Sequence, residues 1–312
     1  MPLRTRKRLI LAQTESVYGT DPSPGGTEAI LVRDLNITPL QSDVVGRDLI
    51  RPYLGASEQL LANTRVECTF SVELAGSGTA GTPPRYGPAL KACGLSETTV
   101  VGTSVTYAPV SSSFSSITIH YNIDGVLHKL TGARGTFSLS CAVGEIPTID
   151  FTFTAIYNPP SDAAAPAVTY ADQATPLIFK SGNTSGFSLL GYSTCLQSVS
   201  MDIGNTIIYR ELVNCTKEVL LTDRSATGTV VIEAPTIAAK DYFTAALTDG
   251  TLGNLTFTHG TTAGNIVSFT STGRVDIGDP TYDDQDGIHM LSLPYTLVPS
   301  TSGNDEFSLA FT

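Results

Sequence analysis

Val66-Glu67-Cys68-Thr69-Phe70-Ser71-Val72-Glu73-Leu74 decides the fold class. Val66, Cys68, Phe70 and Val72 occupy one parity; Glu67, Thr69, Ser71 and Glu73 occupy the other. Side chains alternate across a strand, so this stretch predicts a strand with one apolar and one polar face. The same rhythm recurs down the chain. Ile117, Ile119, Tyr121 and Ile123 oppose Thr118, His120, Asn122 and Asp124. Phe137, Leu139 and Cys141 oppose Thr136, Ser138 and Ser140, and Ile149, Phe151, Phe153, Ala155 and Tyr157 share a face. Alternation of this kind belongs to antiparallel sheets with one side wet or facing a partner. The predicted class is all-β, mainly antiparallel.

Composition agrees. The chain has 312 residues, 41% of them hydrophobic, enough to bury a sizeable core. Only 15% are charged and the net charge is −11, which excludes a general nucleic-acid binder that neutralises phosphate with clustered cations. Gly (28) and Pro (18) supply turns. At the N-terminus, Arg4, Arg6, Lys7 and Arg8 precede an apolar run of only Leu9 to Ala12. That run is too short for a signal peptide, and no stretch approaches a membrane-spanning helix. The basic run reads as a solvated or docked arm. Cys68, Cys93, Cys141, Cys195 and Cys215 are odd in number, far apart and without a CxxC, so reduced, mostly buried thiols are expected.

Helical signal is scarce. Residues 88–93, with Pro88 near the start and Gly94 beyond the end, and residues 240–248, stopped near Gly250, are the two short candidates. Residues 158–194, with Pro159, Pro160 and an Ala-rich run, read as a connector. The segments on its two sides are alike. Arg47-Asp48-Leu49 has a counterpart in Arg210-Glu211-Leu212, and residues 69–73 in residues 229–233. The helix candidates match, as do 117–119 with 255–257 and 151–153 with 291–293. A duplicated unit is therefore expected, each copy with one short flanking helix. The expected organisation is an arm (1–30), a first β domain (31–160), a linker (161–194), a second β domain (195–300) and a tail (301–312).

Gly76-Ser77-Gly78-Thr79-Ala80-Gly81 matches GxGxxG, but Thr82-Pro83-Pro84-Arg85 intervene before any helix. A phosphate-binding turn opens directly into its helix, so this reads as a strand-to-helix loop. Asp283-Asp284-Gln285-Asp286-Gly287 lacks the Glu and the flanking helices of a calcium loop, and reads as an acidic turn with a weak cation site as the alternative. His120, His128, His259 and His289 show no ligand spacing, and nothing pairs a nucleophile with a base. No catalytic residue, cofactor or metal is expected.

Several strings together resemble the major tail protein, or tail tube protein, of long non-contractile-tailed bacteriophages. They are residues 15–22 (Glu-Ser-Val-Tyr-Gly-Thr-Asp-Pro) followed by a strand at 31–40, then 47–55, 87–94, 124–137 and 149–153. The resemblance spans about residues 9–160; the second half resembles the family through the repeat. It implies β-sandwich or barrel domains that close into rings, stacked as a hollow tube through which DNA leaves for the host. With two copies per chain, it implies a trimeric, pseudo-hexameric ring. Implied partners are further copies of the chain and the tail tip, tape measure and terminator proteins. DNA would pass without specific binding, and no membrane anchor is implied. The implied location is the virion, after synthesis in the bacterial cytoplasm. The polar faces bearing Glu67, Thr69, Ser71, Glu73, Thr229 and Glu233 line the lumen on this reading or face outward on the alternative. Two polar arms, 41–64 and 205–227, are assigned to ring stacking through Arg47, Asp48, Arg51, Tyr53, Glu58, Arg210, Glu211, Lys217, Asp223 and Arg224. The competing functions are a tail terminator or capsid decoration protein, and a surface carbohydrate-binding sandwich, which the N-terminus and the absence of Trp disfavour.

Overall fold

The computed structural model describes residues 3–248 and 250–312. Met1 and Pro2, part of the expected arm, lie outside the described residues. The first half contains β1 (Arg8–Thr14), β2 (Ala29–Ile30), β3 (Arg33–Val45), β4 (Leu60–Glu73), helix α1 (Gly87–Ala92), β5 (Leu95–Val100), β6 (Ser104–Pro109), β7 (Ile117–Ile123), β8 (Val126–Ala142), β9 (Thr148–Ile156) and β10 (Ser161–Asp162). The second contains β11 (Thr184–Leu189), β12 (Leu196–Asp202), β13 (Asn205–Arg210), β14 (Glu218–Arg224), β15 (Thr227–Glu233), α2 (Tyr242–Leu247), β16 (Gly253–His259), β17 (Val267–Ile277), β18 (Thr281–Gln285), β19 (Ile288–Leu297) and β20 (Ser308–Phe311).

All pairings between these strands are antiparallel. In the first half the ladder runs β3–β4–β9–β8–β7–β1–β2. In the second it runs β12–β15–β19–β17–β16–β11. Among the described residues, strand pairing joins the two halves at two places. β8 pairs with β12, and the C-terminal β20 lies between β6 and β17.

The apolar parities read from the sequence face the core. Phe70, Phe137, Phe151 and Phe153 pack together with ring centroids 5.3–5.9 Å apart. Phe257, Phe269 and Phe307 stack in the second half at 5.5 and 5.8 Å. Each such ring contributes roughly 1.5–3 kcal/mol by leaving water. Helix α1 begins with Pro in its first turn and ends where Gly94 takes φ +81°. In α2, Asp241 caps the start by accepting from the Thr244 amide at 2.9 Å.

Three segments read as arm, linker and tail carry paired strands. β1 is a continuous apolar run because Ile10, Leu11 and Ala12 are buried on both sides, so it has no alternation to detect. β11 contains a bulge between Ser185 and Ser188, with Gly186 at φ +65°, which breaks its parity. β20 is only four residues long, too short for a periodic signal.

Candidate assembly surfaces

The β8–β12 joint makes one sheet of β3, β4, β9, β8, β12, β15, β19 and β18. Opposed residues of an antiparallel pair project to the same side. One row across the sheet is therefore Glu73, Thr148, Ser140, Ser200 and Thr229. The row beside it is Ser71, Asp150, Ser138, Asp202, Thr227 and Thr296. Both rows lie away from the aromatic core. Glu67 and Thr69 continue the same face on β4, and Glu233 continues it on β15, where it is exposed. The six residues singled out from the sequence thus share one face spanning both halves. Asp150, Asp202, Ser138, Ser140 and Ser200 belong with them. Their parity was legible, but their neighbourhood depends on a joint between strands far apart in sequence. The cations bordering this face are engaged. Arg33 lies 3.9 Å from Glu73, Arg65 3.3 Å from Asp43 and Arg134 3.4 Å from Glu218. From β4 to β15 the two central rows carry no Lys or Arg; on β3, Arg33 stands opposite Ser71. Ser71 donates to Asp150 and is itself buried.

The two arms are hairpins that differ in their surroundings. The first extends β3 and β4 beyond the sheet, with Val45 opposite Leu60 and a connecting loop at 46–59. Arg47 and Arg51 both reach Glu58, the latter at 3.6 Å, and the Arg51 guanidinium sits 5.9 Å from the Tyr53 ring centre. Asp48 is exposed. From its sequence this arm is expected to be polar. The structure corrects that: Val44, Val45, Leu49, Ile50, Tyr53, Leu54, Leu60 and Leu61 are all exposed, Ile50 and Leu54 completely. The second arm, β13–β14, folds back on the first half against β8 and β9. Val219 is fully buried there and Leu221 nearly so. Arg224 donates to Glu306 at 2.6 Å and to the Val110 carbonyl at 2.9 Å, an ion pair almost closed to solvent. Arg210 lies 3.8 Å from Glu218, Lys217 3.1 Å from Glu211, and Asp223 is exposed.

The string at 15–22 clips the N-terminal segment to this joint. The buried Glu15 carboxylate accepts from Ser116 and Thr118 hydroxyls at 2.6 Å and from the Gly19 and Gly132 amides at 2.8 and 2.7 Å. Gly132, at φ +61°, is where β8 shifts register between β7 and β9. Tyr18 donates to the Gly132 carbonyl at 3.1 Å and accepts from the Val219 amide at 2.6 Å. Burial pushes its phenol up to about 12, against the pull of that amide and of Arg134, whose guanidinium lies 4.8 Å from the ring centre. Asp21 holds His120 at 3.0 Å and Lys129 at 2.9 Å. Burial keeps His120 below its ordinary value and hence neutral, donating its Nε2 proton to Asp21.

The glycine-rich loop is a packing contact. The Gly78 amide donates to the Gly264 carbonyl and the Gly76 amide to Asn265 Oδ1, at 2.9 and 2.8 Å. A Cβ on Gly76 would meet the Gly264 carbonyl oxygen. Amides spent in this way have none left for a phosphate. In the acidic turn, Asp283 and Asp284 carboxylates accept from the Asp284 and Gly287 amides. Cys68, Cys93 and Cys141 are buried, and burial pushes the Cys68 and Cys141 thiols up to about 12; Cys195 and Cys215 are exposed. No helix among the described residues is long and apolar enough to cross a membrane.

The chain is thus all-β, and its halves share a sheet with one hydroxyl- and carboxylate-lined face. The chain belongs to the phage tail tube protein family, which it matches over residues 5–297. No curated protein matches it. It is a structural component of a phage tail, and so of the virion.

Proposed function

We propose that the protein assembles into rings of three chains that stack as a hollow tail tube, the conduit for DNA ejection into the host. The observation that carries this reading is the polar face. Two adjacent rows of Ser, Thr, Asp and Glu run from β4 to β15 across both halves of the chain, with Arg33 opposite Ser71 at the β3 end of one row. A bore of that chemistry hydrogen-bonds water and repels phosphate, and the Arg33 guanidinium at its edge lies 3.9 Å from Glu73. Glu67, Thr69, Ser71, Glu73, Thr229 and Glu233 are its candidate lining.

The two ladders have corresponding strand order, which supports a duplicated unit and a pseudo-sixfold ring from three chains. The exposed apolar loop at 46–59 is the candidate ring-to-ring contact, with Arg47, Asp48, Arg51, Tyr53 and Glu58 around it. The second arm has less left to offer a neighbouring ring, since Arg224 is spent within the chain. Tail tip, tape measure and terminator proteins are the expected partners at the ends and in the bore.

Electron microscopy of the purified chain over a concentration series, with native mass of the smallest assembly, tests this. Hollow rings or tubes of trimer mass support it. Rings of six full chains refute the stoichiometry. Single capping rings that never stack favour a terminator.

A further inference from the structure

The joint between the two halves of one chain carries an inference about the joint between chains. In the first half, β8 does two jobs. Residues 126–133 pair with β7, and residues 138–142 pair with β12 while their other edge meets β9. In the second half these jobs fall to two strands that follow one another along the same edge of β19. β17 pairs at 275–277 with 295–297, and β18 pairs at 281–285 with 288–292. β18 is thus the counterpart of the end of β8. By the same correspondence β3 is the counterpart of β12, since β3 flanks β4 as β12 flanks β15.

The end of β8 and the edge of β12 satisfy one another. Among the described residues, β18 pairs only with β19, and β3 only with β4. All five residues of β18 are exposed, Tyr282 among them. Such an edge, with unpaired amides and carbonyls, recruits another strand.

We infer that β18 of one copy pairs antiparallel with β3 of the next, repeating the β8–β12 joint. The inference rests on the ring reading and deepens it by naming the edges and their register. The register follows from the pairings. Ser138, Leu139 and Ser140 oppose Asp150, Ile149 and Thr148 on β9, as Thr281, Tyr282 and Asp283 oppose Ser292, Leu291 and Met290 on β19. Thr69 opposes Asn36, as Thr229 opposes Ser200. Ser140 opposes Ser200 within the chain. Between chains, Asp283 therefore opposes Asn36, Tyr282 opposes Ile37 and Thr281 opposes Thr38. Asp283 and Asn36 fall on the polar face, which then continues from copy to copy, with Met290 between Glu233 and Asp283.

The arms fit the same joint. The second arm buries Val219 and Leu221 on the half that β12 joins. The base of the first arm, with Val44, Val45, Leu60 and Leu61 exposed, would lie in the same way on the second half of the copy whose β18 it meets. Both contacts are heterologous, so they propagate in one direction until a rotation closes them.

Paired cysteines test the register in the full-length chain, with exposed Cys195 and Cys215 replaced by Ser. One variant carries Asn36→Cys with Asp283→Cys. A second carries Ile37→Cys with Tyr282→Cys, because hydrogen-bonded and open pairs alternate along a ladder and differ in spacing. A shifted control carries Asn36→Cys with Thr281→Cys. After mild oxidation, at least one matched pair should give covalent trimers on denaturing gels, about tenfold more than the control, since a disulfide tolerates only a narrow range of Cα separations. Assembly is followed in parallel by microscopy before oxidation. Rings that form normally but cross-link through neither matched pair, or better through the shifted one, overturn this joint and leave the ring reading standing. Absence of rings from the parent chain with Cys195 and Cys215 replaced, and from wild type, overturns both.

Discussion

Arg134→Met should loosen the second arm from the first half. The guanidinium, 10% exposed, donates to the Val219 carbonyl at 2.7 Å and the Phe114 carbonyl at 3.1 Å, and it pairs with Glu218 at 3.4 Å. Met retains the aliphatic stem and removes every donor. Leaving buried acceptors unmet costs about 1–3 kcal/mol each, more where a carboxylate loses its cation. The arm can swing out and hydrate those groups, which forfeits the burial of Val219 and Leu221, roughly 1.5–3 kcal/mol each. Relaxation caps the loss, so about 3–4 kcal/mol of docking free energy should disappear. Hydrogen exchange resolved by residue is the assay. Protection at Val219, whose amide donates to Tyr18 at 2.6 Å, should fall by at least about 100-fold, since each 1.36 kcal/mol is tenfold. Protection in β16 and β19, outside the contact, should change much less. Unchanged exchange over 205–224 would refute the argument, as would an equal loss throughout the chain.

Glu73→Lys with Glu233→Lys should leave tubes intact and slow DNA ejection in a phage assay, if these residues face the bore; normal ejection would place them outside. Gly76→Ala should cost several kcal/mol or abolish soluble expression, because its Cβ collides with backbone at Gly264 rather than with a movable side chain; thermal unfolding and yield report it. Acid should weaken the clip. His120 lies below its ordinary value, chiefly through burial, so its contribution to stability is full at neutral pH and declines as pH falls through about 6.5. Asp21 is also lowered: burial raises it, but Lys129, the Ser23 amide and His120 together outweigh that, so its contribution is present above the carboxylate range and lost as pH falls through it. His120→Asn should remove the upper part of the acid sensitivity in a denaturant series across pH; an unchanged profile would argue against the assignment.

Strand parity was legible because period two is local. Residues 66–74, 136–141 and 149–157 each show their faces without knowledge of their neighbours; in β7 the polar parity, Thr118, His120 and Asn122, is buried as well, which its alternation does not reveal. Both short helices were legible for the same reason, through Pro88 and Gly94 and through the stop at Gly250. Less legible were β1, buried on both sides, and β11, whose bulge at Gly186 scrambles its parity. The arms show the limit most plainly. Leu49, Ile50 and Leu54 and, in the other arm, Val219 and Leu221 are all apolar residues in polar surroundings. Only tertiary packing leaves the first set exposed and buries the second.

The sequence by itself determined, strand by strand, which parity is apolar, and hence an all-β chain with a polar surplus face. Tertiary structure decided which polar residues become neighbours. Ser140 and Ser200 meet because two edges, separated by a connector and a half-sheet, satisfy one another's backbone hydrogen bonds. Backbone amides and carbonyls are the same at every residue, so the identity of the partner edge is written in no local pattern. Only the packing that brings the two edges together selects it.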